Sequence, residues 1–153
     1  MSSETQSRLQ AALQAQDFDL AGALSETAVA NGEAHETLFR LAALNRQAAG
    51  DLTGAVDMLL RASRLSPDDP AILTAAADAL RQIGQLQHAV MLFDDALAHD
   101  GAMVAACYGR ALALEAAGAL EAARDGYQRV TELAPGTAPG FAGLSTTNTQ
   151  LGD

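Results

Sequence analysis

Apolar and polar positions recur along this chain with a fixed period of 34 residues. A small-residue turn, a helical apolar stripe and a Pro stop follow one another in AAGDLTGAVDMLLRASRLSPDDP, residues 48–70. The same order returns at 83–103 and again at 117–137, without an insertion. A constant spacing of this size predicts stacked repeats, and the two apolar stretches of each repeat predict a pair of antiparallel helices.

Each recurring position has a physical reason. A Gly at the end of the first helix adopts the left-handed conformation that closes a helix. The Ala residues let the two helices approach closely, a large residue fills the space between them, and Pro or Gly ends the second helix. Each of the following sets gives the residues at one equivalent position of the three repeats: Gly50, Gly84 and Gly118; Leu52, Leu86 and Leu120; Ala43, Ala77 and Ala111; Ala55, Ala89 and Ala123; Leu59, Phe93 and Tyr127; Ala62, Ala96 and Val130; Pro67, Gly101 and Pro135. In SPDDP, Asp69 is the expected cap and Pro70 the first residue of the next helix.

The second halves of two repeats resemble that of the tetratricopeptide repeat (TPR), in which Ala-x3-aromatic is followed by Pro. The stretches AVMLF (89–93) and ARDGY (123–127) carry that resemblance. The first half departs from the family pattern, since Arg110 stands where Leu is usual. The resemblance implies an all-α fold, a right-handed superhelical solenoid of antiparallel helix pairs.

By this resemblance, residues 1–153 form a single TPR-type domain. Its full repeats are expected at 36–69, 70–103 and 104–137, after a degenerate capping repeat at 2–35 in which Gln16 replaces the turn Gly. The last segment, 138–153, with Gly152 and Asp153 in phase with Gly50 and Asp51, has two interpretations. It is either a polar C-terminal cap, which repeat arrays need, or a helix truncated at a repeat boundary.

Charge and composition narrow the class of partner and compartment. The net charge is −10 and all nine basic residues are Arg, so a nucleic acid or an anionic membrane is not an expected partner. The N-terminus carries Glu4 and no apolar signal region, and no apolar run is long enough to span a bilayer. With the lone Cys107, these features favour a cytoplasmic protein, and the Ala-rich, Lys-free style resembles bacterial proteins.

Candidate catalytic and metal-binding residues are sparse. The histidines His35, His88 and His99 lack the spacing of a metal site, and Cys107 falls at a core position of its repeat. The acidic pairs 68–69 and 94–95 are expected to be solvated. We therefore expect no enzyme activity, no cofactor and no metal.

The first helices of the full repeats are far less acidic than the rest of the chain, with four Arg against three acidic residues. In the TPR family these helices line the concave face, which implies a groove for a peptide or partner domain. The positions implied are Arg40, Leu44, Gln47, Thr74, Asp78, Arg81, Tyr108, Leu112 and Glu115. Arg would pair with a carboxylate of an acidic partner, while Leu and Tyr offer apolar contact. The alternative is that these are ordinary solvated positions; Arg46 and Arg110, at normally packed places, are expected only to extend their stems along the surface.

Three functions follow. The first is a non-catalytic protein-interaction module, although of the family's carboxylate-gripping residues only Arg40 is in place. The second is the N-terminal repeat domain of a larger bacterial enzyme, sulfotransferase-like or aspartyl/asparaginyl-hydroxylase-like. The third is a self-associating scaffold, a homo-oligomer formed through the ends of the array.

Overall fold

The computed structural model describes residues 1–152, so Asp153, the last residue of the predicted C-terminal segment, lies outside the described residues. Within them the chain forms nine α-helices and no strand. The helices are α1 (Ser3–Gln14), α2 (Phe18–Ala30), α3 (Glu36–Ala48), α4 (Leu52–Leu65), α5 (Pro70–Gln82), α6 (Leu86–His99), α7 (Val104–Ala116), α8 (Leu120–Leu133) and α9 (Ala138–Leu151).

The helices keep the 34-residue period of the sequence. First helices begin at 36, 70, 104 and 138, and second helices at 18, 52, 86 and 120. Turns of three residues join α3 to α4, α5 to α6 and α7 to α8, and each of these pairs packs together. Turns this short place the two helices antiparallel, as the repeat pattern predicted.

Glycine closes the first helix of each full repeat in a left-handed conformation. Gly50, Gly84 and Gly118 have φ angles of 81°, 80° and 79°. At the first of these turns, the Gly50 amide donates to the Gln47 carbonyl and the Asp51 amide to the Arg46 carbonyl, at 3.0 and 2.8 Å. These two backbone hydrogen bonds form the Schellman motif that ends a helix. Gln16 takes the same place at the end of α1 with φ 56°, so the degenerate repeat keeps the turn without its glycine.

The predicted helix start at Asp69 and Pro70 is confirmed. The Asp69 side chain accepts hydrogen bonds from the amides of Ala71 and Ile72, at 2.8 and 3.3 Å, and Pro70 opens α5. The carboxylate thus accepts hydrogen bonds from amides that lack a partner within the helix, and Pro70 has no amide hydrogen that would need one.

The chain divides into two compact units, an N-terminal unit (Met1–Pro67) and a C-terminal unit that starts at Asp68. In the N-terminal unit, α1, α2, α3 and α4 pack in chain order. One core cluster there consists of Leu9, Ala12, Ala21, Ala28 and Leu38. Since most of its members are Ala, neighbouring helices approach closely.

The C-terminal unit packs α5 to α9 in the same consecutive manner. Its recurring Ala positions are fully buried, with Ala77, Ala89, Ala111 and Ala123 each 0% exposed. Large side chains at the next recurring place fill the space that these leave, and Phe93 and Tyr127 are 0% and 1% exposed. The register read from the sequence is therefore correct; the grouping of all repeats into a single domain stays a prediction.

Two aromatic residues of the flanking repeats are exposed although they fall in phase with recurring apolar positions. Phe141 of α9 is 55% exposed, whereas Phe39 and Cys107 at the same place in their repeats are 3% and 6% exposed. Phe18 of α2 is 66% exposed. Cys107 is a buried thiol as predicted, and its burial raises its pKa.

Candidate functional site

First helices lie side by side in the C-terminal unit. There α5 contacts α7 and α7 contacts α9, whereas α6 and α8 have no contact with each other within residues 68–152. Helices that are close on one side and separated on the other bend the stack, with the first helices inside the curve. We call the surface of α5, α7 and α9 on this side the inner face. The residues predicted for a groove in this unit are Thr74, Asp78 and Arg81 on α5 and Tyr108, Leu112 and Glu115 on α7, at the i, i+4, i+7 spacing of one helix face.

The α5 residues of the inner face are largely engaged with one another. Thr74 is only 9% exposed and its hydroxyl donates to the Met103 sulfur at 3.4 Å. The Arg81 guanidinium donates from Nε and Nη2 to Asp78 Oδ1, at 2.9 and 2.7 Å. Gln82 donates to the other oxygen of Asp78 at 2.8 Å. Arg81 is therefore held on its own helix by a neighbouring carboxylate.

The α7 residues of the inner face meet a buried tyrosine of α8. The Tyr127 hydroxyl donates to Glu115 Oε2 at 2.5 Å, and the Tyr127 ring lies 6.0 Å from that of Tyr108 at an angle of 55°. Burial, followed by the bond to the Glu115 carboxylate, raises the pKa of Tyr127 well above its ordinary value. Leu112 lies half-buried between Tyr108 and Glu115 on α7. Tyr127 was expected only as core filling; its recurring aromatic position signalled burial but not the hydrogen bond.

In the N-terminal unit, the three predicted residues of α3 are accessible. Leu44 is 61% exposed, a large fraction for an apolar side chain, and Gln47 is half-buried. Arg40 donates through Nη1 to Glu36 Oε1 at 3.1 Å, one turn earlier, while 54% of its side chain remains exposed. Because a single contact holds its guanidinium, Arg40 keeps donors for another group.

A groove of about 600 Å³ runs along α1 towards the start of α3. It is lined by Met1, Gln6, Leu9, Gln10, Leu13, Gln14 and Thr37. The sequence interpretation placed no groove residue on α1. Yet Gln6, Gln10 and Leu13 precede Arg40, Leu44 and Gln47 by 34 residues, so the same period identifies them as the equivalent face.

Arg46 and Arg110 form ion pairs between helices, which corrects the expectation that they only extend along the surface. Arg46 of α3 binds Glu26 of α2 through two contacts, at 2.7 and 2.9 Å. Arg110 of α7 binds Asp94 of α6 at 2.6 Å. Asp94 is thus engaged, not simply solvated as predicted. Each pair joins a second helix to the first helix of the next repeat, a role that the isolated residue type did not signal.

Other surfaces carry fewer candidate binding groups. A depression of about 590 Å³ lies at the α5–α6 turn, lined by Gly84, Gln85, Leu86, Gln87, His88, Met91 and Ala117. Within residues 1–152, no three His, Cys, Asp or Glu side chains are grouped to hold a metal ion. No helix in that range has both the length and the apolar composition to cross a membrane.

Neither the family models nor the curated proteins gave a match to this sequence. Solved structures do resemble the chain. The MamA RS-1 ArsTM double mutant has a TM-score of 0.87 at 18% identity, covering 100% of this chain and 88% of its own. The first TPR of Spaghetti (RPAP3), bound to the HSP90 peptide SRMEEVD, has a TM-score of 0.74 at 22% identity, covering 77% and 94%.

The second TPR domain of human RPAP3, in complex with the HSP70 peptide SGPTIEEVD, has a TM-score of 0.68 at 19% identity. It covers 74% of this chain and 98% of its own. These similarities show that the chain has the TPR fold, as its repeats indicated. At such identities the likeness concerns the fold alone.

Proposed function

We propose that this protein is a peptide-binding interaction module whose first helices carry the binding surface. The observation that carries the proposal is the exposure of Leu44, at 61%, beside polar side chains on the first helices of the N-terminal unit. An apolar side chain flanked by Arg40 and Gln47 offers both contact area and hydrogen bonding to a peptide. The two RPAP3 domains described above were solved with peptides bound, which supports the same use of this fold.

We assign the amide-rich groove of α1, which reaches Thr37 of α3, to the same binding surface. Gln6, Gln10 and Gln14 each carry one carbonyl and one amino group, which match the donors and acceptors of a peptide backbone. Leu13, 37% exposed, supplies an apolar contact in the same groove. A peptide in an extended conformation leaves its backbone groups unpaired, so these amides would satisfy them.

Charge pairing restricts where an acidic group of the peptide would bind. Arg81 is fixed by Asp78, and only 27% of its side chain is exposed. Arg40, with one contact to Glu36 and 54% exposure, keeps free donors. We therefore assign the contact with an acidic side chain to Arg40 and not to Arg81.

The experiment is a selection from a phage-displayed library of random dodecapeptides against the immobilised protein, followed by calorimetry with individual synthetic peptides. A single site of this kind is expected to bind at micromolar Kd, about 8 kcal/mol. Leu44→Ser should weaken binding about tenfold, because it removes an apolar contact.

Leu65→Ser is the matched control, since Leu65 is 50% exposed but lies on a second helix, α4. It should leave the Kd unchanged. If the selection returns no peptide, or if both variants weaken binding equally, the proposed function or its surface is wrong.

A further inference from the structure

We infer that the carboxylate of Glu115 binds a basic side chain, Arg or Lys, of the partner peptide. This inference rests on the proposed function and specifies the chemistry of the partner at one point. It is carried by the cluster of Tyr108, Glu115 and Tyr127 in the C-terminal unit, which we call the tyrosine–glutamate cluster.

Glu115 is a charged group with a neutral partner. The Tyr127 hydroxyl donates to its Oε2 atom at 2.5 Å, and no basic side chain of residues 1–152 forms an ion pair with it. Raising the pKa of Tyr127 keeps this phenol neutral over the physiological range. The cluster therefore places a carboxylate, half-buried on the inner face, that forms no ion pair within the described residues. The basic group that acts on the cluster, Arg81 of α5, is itself paired with Asp78.

The position of that carboxylate is fixed before a ligand arrives. Tyr127 is 1% exposed, and a Cβ built on Gly143 of α9 would come within 2.5 Å of its ring, so the ring cannot move aside. Its hydroxyl thereby orients one oxygen of Glu115, and Oε1 remains to accept from a ligand. An acceptor that is already oriented loses less freedom on binding, which favours affinity.

The surroundings of the carboxylate suit a cation. Tyr108 is half-buried, and its ring packs against Tyr127 at 6.0 Å, which leaves part of an aromatic surface on the same side of α7 as Glu115. Guanidinium and ammonium groups bind both carboxylates and aromatic faces. Two first helices contact α7. Of these, α9 has the sequence APGFAGLSTTNTQL, which contains no charged residue, and α5 brings Arg81, which is paired with Asp78.

The contrast with the other acidic residues on first helices supports this choice. Glu36 is paired with Arg40 and Asp78 with Arg81, each within one turn of its own helix. Glu115 has no such partner, because the residues three and four positions later are Gly118 and Ala119. Of these three carboxylates, Glu115 is the one open to a cation from outside.

The test uses the dodecapeptide library with the wild-type protein, Glu115→Gln and the control Glu121→Gln. Glu121 is exposed at the start of the second helix α8, so this control makes the same chemical change away from the inner face. Peptides selected on the wild type and on Glu121→Gln should share an Arg or Lys at one position, and those selected on Glu115→Gln should lack that preference.

Calorimetry then measures one selected peptide and its Arg→Gln (or Lys→Gln) counterpart. The loss of the basic residue should raise the Kd about three- to tenfold for the wild type and leave it unchanged for Glu115→Gln. Tyr127→Phe removes the hydroxyl but keeps the ring. In this variant the loss of the basic residue should raise the Kd by less than it does in the wild type, which would show that Tyr127 positions the carboxylate.

The outcomes separate the inference from the function on which it rests. Peptides that bind without a shared basic residue, or whose basic residue is equally important in Glu115→Gln, would overturn the inference and leave the peptide-binding function standing. A selection that returns no binding peptide overturns both.

Discussion

Gly109 of α7 lies directly against Phe93 of α6, so that a Cβ atom at position 109 would come within 2.4 Å of the Phe93 Cζ atom. One repeat later, a Cβ on Gly143 would meet the Tyr127 ring at 2.5 Å. The aromatic residue of one second helix thus packs on the glycine of the next first helix. Where that position is aromatic, the first helix must lack a side chain.

Gly109→Ala should therefore destabilise the protein by about 1–3 kcal/mol, because the added methyl group overpacks a rigid contact. In an exposed helix the same change would stabilise by about 1 kcal/mol, so the two effects have opposite signs. Urea unfolding followed by circular dichroism measures the difference. Combining the change with Phe93→Leu should recover part of the loss; a Gly109→Ala protein as stable as the wild type would disprove the contact.

The turn after α1 is expected to improve with the residue that the other turns use. Gln16 has φ 56°, a conformation that costs a residue with a side chain about 1 kcal/mol relative to glycine. Gln16→Gly should stabilise the protein by about that amount in thermal unfolding. Gly50→Gln is the reverse change at φ 81°, with no atom within 4 Å of the added Cβ, and should destabilise equally. If both changes destabilise, backbone conformation does not control these turns.

Equivalent phenylalanines should differ in their contribution to stability. Phe39 is 3% exposed and its ring faces the Arg61 guanidinium at 4.4 Å, whereas Phe141 is 55% exposed. Phe39→Ala should cost about 3–5 kcal/mol and Phe141→Ala about 1 kcal/mol or less. Denaturant unfolding of the two variants tests this directly. Similar losses at both positions would mean that Phe141 is covered in solution.

The N-terminus is fastened by Glu33, which accepts hydrogen bonds from the Ser2 amide at 2.6 Å and the Thr5 hydroxyl at 2.6 Å. These hydrogen bonds hold the pKa of Glu33 below its ordinary value of 4.5, and the bond from Thr5 has the largest effect. Its contribution is therefore present above pH 4.5 and is lost as the pH falls through the lowered pKa.

Glu33→Gln should accordingly accelerate hydrogen exchange in α1 at pH 7, and the difference from the wild type should shrink below pH 4.5. Glu4→Gln changes a carboxylate of α1 that does not form these hydrogen bonds. It is the control and should accelerate exchange less than Glu33→Gln at pH 7. A Glu33 effect that is constant from pH 7 to pH 3 would contradict the hydrogen-bond network.

Much of the fold could be predicted from the sequence, because its period is expressed in residues with strict conformational roles. Gly84 and Gly118 mark turns that only glycine makes without strain, and Ala89 and Ala123 mark helix contacts that admit no larger side chain. Such positions act through sterics within one repeat, so their spacing alone places the helices.

The candidate site was less predictable, since it depends on which side chains pair with each other. The sequence assigned both Arg40 and Arg81 to the groove, but Arg81 is held by two contacts and Arg40 by one. The hydrogen bond between Tyr127 and Glu115 joins residues 12 positions apart on different helices, and no periodic pattern in the sequence predicts it. The groove along α1 was missed for another reason: its Gln residues have the right period but no recognisable chemistry of their own.

The most direct test of the peptide-binding surface is chemical-shift mapping of the ¹⁵N-labelled protein with a peptide selected from the library. In the N-terminal unit the largest changes are predicted for backbone amides around Leu44 on α3, and in the C-terminal unit for those around Glu115 on α7. Changes confined to the second helices, or to the depression around Leu86 and Met91 at the α5–α6 turn, would contradict the assignment of the binding surface.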